Sequence, residues 1–300
     1  MDFGMPALIE LPALEDCAKL CRELGLQFVE LNMNLPQYQT DRIDRDCLRK
    51  IREEYGIYFT LHLDENLNPT DFNPYVAQAY LRTAEDAIAL AKRVDIPVLN
   101  MHLSRGVYFT MPEKKIFLFD TYRERYLAAM RNFRDRCEAA IGPADVKICV
   151  ENSDGFMDFH AKALDLLLES PVFALTFDIG HDHGIGGRDA GIILQRRERL
   201  RHFHFHDGVG KKNHLPLGAG EIDLEKYFAL AEAREGRIVL ETKTIAGLRN
   251  RSSGSGGYGP HRFPARFCLP LAHAESRLRT VKKKHIPRPE WPRKNYPAKR

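Results

Sequence analysis

Histidine is unusually dense in one short stretch of the chain. Residues 202–214 read HFHFHDGVGKKNH and include His202, His204, His206 and His214. Imidazole at this density is uncommon in a strand that only builds a core, because buried polar groups need partners. Neutral imidazole binds metal ions, and it exchanges protons near neutral pH. The stretch therefore indicates either a metal site or a site of proton transfer.

Acids and further histidines stand at the ends of other apolar runs. The full candidate set is His62, His102, Glu151, Asp178, His181, His204, His214 and Glu241. Carboxylates gathered in one buried place repel one another, and each raises the pKa of its neighbours. A divalent cation removes that conflict, and His with Asp or Glu is a normal ligand set.

The elements that must position these residues alternate between short apolar runs and longer amphipathic ones. Strand-like runs occupy 6–11, 28–34, 57–63, 97–103, 146–152, 173–179, 201–207 and 237–242. Helical patterns lie near 13–24, 43–55, 74–93, 120–141, 160–169, 189–199 and 223–234. Eight strands alternating with helices predict an α/β fold with a parallel sheet, and eight strands close a (β/α)8 TIM barrel.

Alternation along the strands gives each run an apolar face and a polar face. In 201–207, Phe203 and Phe205 oppose His202, His204 and His206. The polar faces of a barrel converge on its axis, and active sites lie at the carboxyl ends of the strands. The candidate set is therefore predicted to meet at one mouth.

Several of these residues also have a structural interpretation. His62 or His102 alone would be a core or loop histidine with a satisfied hydrogen bond, but the neighbouring strand-end ligands favour a site role. His202 and His206 are expected to support the site or the core. Glu30 either hydrogen-bonds substrate or is a solvated loop acid.

Charge divides the 300-residue chain into two kinds of sequence. Residues 242–300 contain 15 Lys and Arg against 2 Asp and Glu, out of totals of 45 and 41, which leaves 30 against 39 in residues 1–241. Residues 1–245 are assigned to the barrel, and the Gly-, Ser- and Pro-rich segment 246–300 to an irregular basic tail that is disordered or atypical.

The tail has more than one interpretation. An altered reading frame near residue 250 would produce such a shift, and a basic arm for nucleic acid would use Tyr258, Trp291 and Tyr296 to stack on bases. TIAGLRNR (244–251) begins a last helix that the SSGSGG run stops. Without a regular last helix the first and eighth strands would be exposed, so weak stability or self-association into a homo-oligomer is expected.

Other protein classes fit the composition poorly. No apolar run approaches the roughly 18 residues that span a bilayer, so no membrane partner is expected. The first residues carry acids and no basic start, which disfavours a signal peptide. The six cysteines are scattered without the spacing of a metal finger, which favours a reduced, cytoplasmic protein.

Five segments, in order, resemble the xylose isomerase-like TIM barrels. They are ENSDGF (151–156), FDIGH (177–181), HFHD (204–207), HLPLGAGEIDL (214–224) and VLET (239–242). The resemblance covers residues 1–242, and each segment follows the appropriate predicted strand. The superfamily includes sugar-phosphate isomerases and epimerases and a zinc-dependent apurinic-site endonuclease.

For the epimerase-like members, the resemblance implies one divalent metal ion, with Mn, Zn, Co and Mg all open. The matching ligands are Glu151, Asp178, His204 and Glu241. His204 is chosen because of its H-x-x-D spacing to Asp207. The residues expected to bind substrate are His62, His102, His181, His214 and Lys212.

The chemistry that fits this site is proton abstraction beside a carbonyl group. A metal ion lowers the energy of the resulting enediolate, and two carboxylates act as base and acid. Glu151 and Glu241 are the candidates for these roles. The first hypothesis is thus a sugar or sugar-phosphate isomerase or epimerase, with a small-molecule partner.

The alternative is a zinc-dependent apurinic-site endonuclease or phosphodiesterase, whose partner would be nucleic acid. Those family members hold three zinc ions with extra histidines, which His62, His102, His181 and His214 match. Their D-x-H pair, however, reads Lys212-Asn213-His214 here. A lysine would place positive charge where a cation should sit, which disfavours a third zinc ion but leaves two open. A barrel whose site has decayed is a third possibility, which the intact ligand set disfavours.

Overall fold

The computed structural model describes residues 1–153 and 155–250. Within them, eight parallel strands close into a barrel in the order β1-β12-β9-β8-β7-β4-β3-β2. These barrel strands are β1 Asp2–Pro6, β2 Phe28–Asn32, β3 Tyr58–His62, β4 Val98–His102, β7 Lys147–Glu151, β8 Phe173–Asp178, β9 Leu200–Phe205 and β12 Arg237–Leu240. The predicted (β/α)8 architecture is confirmed.

Helices connect the strands and cover the outside of the barrel. They are α1 Leu14–Glu23, α2 Arg45–Tyr55, α3 Pro74–Val94, α4 Leu118–Thr121, α5 Arg123–Ile141, α6 Asp158–Leu168, α7 Ile179–Gly184, α8 Arg188–Leu194, α9 Leu224–Ala233 and α10 Ile245–Arg249. Short 3-10 turns lie at Pro36–Tyr38 and Arg197–Arg199. No helix in the described ranges is long and apolar enough to cross a membrane.

Local chemistry explains where several helices begin and end. The Asp44 side chain accepts hydrogen bonds from the backbone of Asp46 and Cys47, which caps α2. Asn73 caps α3 in the same way, with Pro74 at its first position. Gly56 ends α2 with a φ of 60°, a left-handed conformation that glycine adopts without strain.

Two hairpins are inserted at the carboxyl ends of barrel strands. β5 Tyr108–Thr110 pairs with β6 Lys115–Phe117 after β4, and β10 Asp207–Val209 pairs with β11 Lys212–Leu215 after β9. The second hairpin carries the segment between His206 and His214, so it folds back over the mouth of the barrel.

The first strand differs from the sequence prediction. Segment 6–11 was expected to be extended, but β1 is Asp2–Pro6. Gly4 and Pro6 weaken the strand pattern of this segment, since both are depleted in strands. The barrel requires Gly4, because a Cβ there would lie 2.4 Å from the Phe28 ring.

A second difference lies after β8. One helical pattern was predicted near 189–199, whereas the chain forms α7 and α8 and then the turn at Arg197–Arg199. The glycines of FDIGHDHGIGG break the periodicity there. Gly187 precedes α8 with a φ of 76°.

The two faces of each barrel strand have the predicted partners. Outward-facing Phe205 packs on Phe228 of α9, with ring centroids 5.0 Å apart, and Phe3 lies 6.2 Å from the same ring. Inside the barrel, Phe28 stacks on Tyr58 at 5.1 Å and fills the end opposite the mouth. The stacked rings of Phe28 and Tyr58 therefore fill one end of the barrel interior, and the polar residues of the strands lie between them and the mouth.

A short helix, α10, follows the last strand within the segment predicted to begin one. The amide of Ile245 donates to Glu10, and Arg249 pairs with Glu23 at 3.0 Å, which ties this helix to the first βα unit. The rest of the predicted basic tail, including Tyr258, Trp291 and Tyr296, lies outside the described residues.

Candidate metal centre and active site

The strand ends bring the candidate residues together at the mouth of the barrel. His62, His102, Glu151 and Asp178 are the last residues of β3, β4, β7 and β8. His204 is in β9, and Glu241 follows β12 directly. The register pairs His102 with Glu151 and Asp178 with His204.

Four of these side chains form a central group, namely Glu151, Asp178, His204 and Glu241. Nδ1 of His204 lies 3.1 Å from Glu151 Oε1, 3.4 Å from Glu241 Oε2 and 3.9 Å from Asp178 Oδ2. All four side chains are almost fully buried. One nitrogen and three carboxylate oxygens thus converge on one small volume.

The donor set of the central group fits a divalent cation. His204 Nδ1 and Glu241 Oε2 are buried and have no aligned hydrogen-bond partner among the described residues. Three clustered carboxylates with a single imidazole are the hard-oxygen and nitrogen ligands that Mn, Zn, Co and Mg accept. Glu151, Asp178 and His204 also have ligand atoms within 4.8 Å of one another.

The second oxygen of Glu151 faces two more histidines. Its Oε2 lies 3.4 Å from His62 Nε2 and 3.2 Å from His102 Nε2, and it accepts a hydrogen bond from Asn100. Nδ1 of His62 donates to the carbonyl of Leu63 at 2.7 Å, which directs Nε2 toward the carboxylate. His62, His102 and Glu151 thus form a second group that could hold a cation.

A third group, the imidazole group, consists of His181, His206 and His214. His181 Nδ1 and His206 Nε2 lie 3.1 Å from oxygens of Asp178. The His214 amide donates to His206 Nδ1 at 2.9 Å, and His214 Nδ1 donates to the Glu241 carbonyl at 3.0 Å. His206, expected to have only a supporting role, therefore belongs to this group.

Close packing around His206 requires a glycine. A Cβ on Gly180 would lie 2.0 Å from the His206 ring, so the glycine of FDIGH makes room for that imidazole. The backbone of His214 has a φ of 55°, a left-handed conformation that costs about 1 kcal/mol or more in a residue other than glycine.

Asp207 organises the loop that follows β9. Its carboxylate accepts hydrogen bonds from the backbone amides of Gly208, Gly218, Gly220 and Ile222, at 2.9 to 3.2 Å. A Cβ on Gly220 would lie 2.2 Å from Asp207 Oδ1. The aspartate of HFHD therefore holds the glycine-rich segment and is not a member of the central group.

A cavity of 520 Å³ opens at the mouth over these groups. Its lining includes Glu65, His102, Arg105, Glu151, His160, His181, His214 and Lys243. His62 and Glu241 line a neighbouring cavity of 210 Å³, which also contains Lys243. The cavity is large enough for a small polar molecule and is lined mainly by polar side chains.

The two lysines of interest lie in different places. Lys212, expected to bind substrate, is exposed on β11 and lines neither of these two cavities. Lys243 lines both, and its Nζ lies 2.7 Å from Glu241 Oε1. The sequence analysis did not single out Lys243, which lies beyond the end of β12 with a left-handed backbone (φ 59°), so strand alternation could not place it.

Burial and charge act in opposite directions on the acids of the central group. Burial alone would raise the pKa of Glu151, but His204 and His102 lower it well below the ordinary value. Burial likewise opposes ionisation of Asp178, whose pKa His206 and His181 lower. The acids are therefore held ionised.

The histidines respond in two ways. Burial disfavours charge on His204 and His181, yet the carboxylates raise the pKa of His204 well above its ordinary value and that of His181 to about 9. For His214, burial prevails and lowers the pKa to about 4. His214 is consequently neutral at physiological pH and keeps an acceptor nitrogen.

Glu30 is buried, which overturns one of its two interpretations, that of a solvated loop acid. It is 3% exposed and lies 2.8 Å from His202 Nε2 and 2.9 Å from His204 Nε2. It is therefore not a solvated loop acid, and it lines the 210 Å³ cavity together with His62 and Glu241, so a hydrogen bond to substrate stays a prediction. The sequence did contain a signal for a buried acid here, because Glu30 is the charged residue in the middle of the otherwise apolar strand FVELN.

Fold and site together define a barrel of the xylose isomerase-like class, and the sequence comparison agrees. Residues 18–254 match the xylose isomerase-like TIM barrel family, and the chain belongs to this family. Among individual proteins, it is 26% identical to the uncharacterized protein MJ1188 of Methanocaldococcus jannaschii over 242 residues, covering 76% of this chain and 82% of that protein.

Solved structures with the same fold include sugar epimerases. A D-tagatose 3-epimerase-like protein superposes with a TM-score of 0.68 at 22% identity, covering 84% of this chain and 94% of the other. D-psicose 3-epimerase from Clostridium cellulolyticum H10 has a TM-score of 0.62 at 16% identity, with 85% and 93% covered. At these identities the similarity establishes the shared fold.

Proposed function

We propose that this protein is a divalent-metal-dependent isomerase or epimerase of a sugar or sugar phosphate. The observation that carries the proposal is the convergence of Glu151, Asp178 and Glu241 oxygens on the unpartnered Nδ1 of His204. The sugar epimerases with this fold add support, since they show that this architecture accommodates the chemistry.

The central group would hold the metal ion through Glu151, Asp178, His204 and Glu241. A bound ion would supply positive charge that stabilises the negative charge developing on the substrate oxygens. The remaining chemistry belongs to the protein's own side chains. Because a carboxylate has two oxygens, each glutamate can contact a cation with one and handle a proton with the other.

Proton transfer is assigned to Glu151 and Glu241. Their strands β7 and β12 are separated in the barrel by β8 and β9, so the two carboxylates approach His204 from different strands. One would remove the proton beside the carbonyl, and the other, or the same one, would return it. Return from the opposite direction inverts the carbon, which is epimerisation.

Substrate hydroxyl groups would be bound by the histidines around the cavity. The 520 Å³ cavity is lined by His102, His181 and His214, and His62 lines the neighbouring cavity with its Nε2 3.4 Å from Glu151. Lys243 takes the place proposed from sequence for Lys212, because its ammonium group lies beside Glu241 inside the cavity. Its additional donors can bind a substrate oxygen.

The first experiment is elemental analysis of protein purified without a chelator or a histidine tag. About one ion of Mn, Co or Zn per chain supports the proposal. The loaded protein is then assayed with ketoses and their phosphates in deuterium oxide, and deuterium incorporated at the epimerised carbon reports proton abstraction. Loaded protein that exchanges no proton with any ketose or ketose phosphate would contradict it.

A zinc-dependent phosphodiesterase is the second candidate function. The observation that favours it is the presence of two more groups, His62 with His102 and Glu151, and the imidazole group, each with ligand atoms within 4.8 Å. Two or three zinc ions per chain and cleavage of DNA containing abasic sites would replace the isomerase proposal. The imidazole group is completed by His206 and does not involve residue 212, so the charge of Lys212 is not an argument against a zinc ion in this group.

A further inference from the structure

Glu30 contacts His204 of the central group and two further side chains, at the edge of the 210 Å³ cavity. Oε1 lies 2.9 Å from His204 Nε2, while Oε2 lies 2.8 Å from His202 Nε2 and accepts a hydrogen bond from Thr60 at 3.0 Å. The carboxylate is almost fully buried in the middle of β2. A buried carboxylate with this many donors is a fixed anion in the barrel interior.

The two nitrogens of the His204 ring face different surroundings. Nε2 faces Glu30, and Nδ1 faces the oxygens of Glu151 and Glu241 at 3.1 and 3.4 Å. A neutral imidazole carries one proton, and the nitrogen without it is the one that binds a cation. Carboxylates face both nitrogens, but the contact with Glu30 is the shorter one, at 2.9 Å against 3.1 and 3.4 Å, so Glu30 favours the proton on Nε2 and leaves the Nδ1 lone pair toward the central group.

The position of Glu30 is itself fixed by the barrel. The register pairs Glu30 with Thr60 of β3, so its hydroxyl donor comes from the adjacent strand. His202 is fully buried, and its ring centroid lies 6.1 Å from that of Phe28. The second oxygen of Glu30 is thus fixed by two rigid elements, and the first can only point to His204.

We propose that Glu30 is a positioning residue that sets the tautomer and orientation of His204 for cation binding at Nδ1. The contact between His204 Nε2 and Glu30 Oε1 is short, at 2.9 Å, but is not aligned as a hydrogen bond. Cation binding at Nδ1 would align it, as in other carboxylate–histidine–metal arrangements. The inference rests on the cation site of the proposed function but not on any sugar chemistry.

The tautomer can be measured in the wild-type chain without substrate. Protein labelled with 15N at histidine, stripped of metal and held at alkaline pH where the ring is neutral, is compared with His204→Gln to identify the His204 signals. We expect long-range 1H–15N spectra to show the proton on Nε2. A proton on Nδ1 would overturn the proposal whether or not the protein is an isomerase.

The second test separates positioning from general stability. Glu30→Gln retains the size of the side chain but loses the charge, and we expect the Kd for Mn²⁺ or Zn²⁺ to weaken about 10- to 100-fold. Tyr58→Phe is the matched control, since it removes a hydroxyl of the same strand that bonds to Asp2 and does not contact Glu30 or His204, and its Kd should stay close to the wild-type value.

The outcomes discriminate among the alternatives. A Glu30→Gln protein that melts earlier but binds the ion with wild-type Kd would assign Glu30 to the core alone. Equal weakening in both variants would mean that packing, not the Glu30 charge, controls the site. If the wild-type chain binds neither ion, the proposed function fails, and the tautomer spectrum still decides the role of Glu30.

Discussion

The acids of the central group use their two oxygens for different neighbours. Glu151 directs Oε1 toward His204 and Oε2 toward His62 and His102. Glu241 directs Oε2 toward His204 and Oε1 toward Lys243. In the proposed function, this division would allow one oxygen to contact a cation while the other exchanges a proton.

Glu241→Gln tests this division directly. The amide retains the size of the side chain but cannot take up a proton, so turnover should fall by about 10²- to 10⁴-fold while the melting curve stays cooperative. Glu65→Gln is a suitable control, because Glu65 lines the same 210 Å³ cavity as Glu241 but lies outside the central group. Turnover retained by Glu241→Gln on the true substrate would remove Glu241 from the role of acid or base.

Cation binding should release protons. Burial opposes charge on His204, but the carboxylates around it raise its pKa well above the ordinary value, so the metal-free ring is protonated near neutral pH. A ligand nitrogen must be deprotonated, hence affinity should increase about tenfold per pH unit for each proton released. Calorimetric titrations in buffers of different ionisation enthalpy measure this number, and a value of zero would contradict His204 as a ligand.

At the scale of elements, the loop after β9 depends on a single carboxylate. Asp207→Ala removes the acceptor of four backbone amides, so we expect a loss of about 1–3 kcal/mol in the free energy of unfolding. Hydrogen exchange should increase across residues 208–222. Asp223→Ala, which removes only the cap of α9, should leave exchange in that loop unchanged.

A buried histidine links α6 to the loop after β4. His160 Nε2 donates to the Ser104 carbonyl at 3.1 Å, and Nδ1 accepts from the Met157 amide at 3.2 Å. Burial lowers the pKa of His160 to about 4. The unfolded chain, with a pKa near 6.5, therefore binds the proton first as the pH falls.

The free energy of unfolding should therefore decrease as the pH falls. The contribution of neutral His160 to the free energy of unfolding is fully present above about pH 6.5. It is lost as the pH falls toward 4, by up to about 3 kcal/mol. His160→Gln should flatten the free energy of unfolding across this window relative to the wild type. Urea titrations at several pH values measure the difference, and parallel curves for the two proteins would rule out the titration of His160.

The whole molecule should gain stability from the cation. A ligand that binds only the folded state adds about 2.7 kcal/mol at one hundred times its Kd, which corresponds to an increase in Tm of several degrees in a chain of this size. EDTA should reverse the gain. A Tm insensitive to Mn²⁺, Co²⁺, Zn²⁺ and EDTA alike would contradict a resident metal in the central group.

The weak stability or self-association expected for the whole chain remains a prediction. Within the described chain, α10 places Leu248 in the core, but it is only five residues long. Sedimentation and a thermal melt of the full chain test the expectation. A monomer with a cooperative melt above about 60 °C would contradict it.

The sequence alone determined the barrel, its eight strands within a few residues, and the residues that meet at its mouth. It could do so because the alternation of side chains and the order of the strands can be read along the chain. A parallel barrel then places the carboxyl ends of all strands at one mouth. The exception was β1, whose Gly4 and Pro6 hide a strand that only packing against Phe28 explains.

Tertiary structure decided which candidates contact one another. Glu30 and His202 are 172 positions apart, so no local pattern could pair them, and only barrel closure brings β2 near β9. The same holds for Lys243, which lies in the cavity while Lys212 is exposed on a hairpin. The local sequence gives the type of each side chain and the strand face on which it lies. Which side chains touch across a closed barrel depends on the register and curvature of the strands.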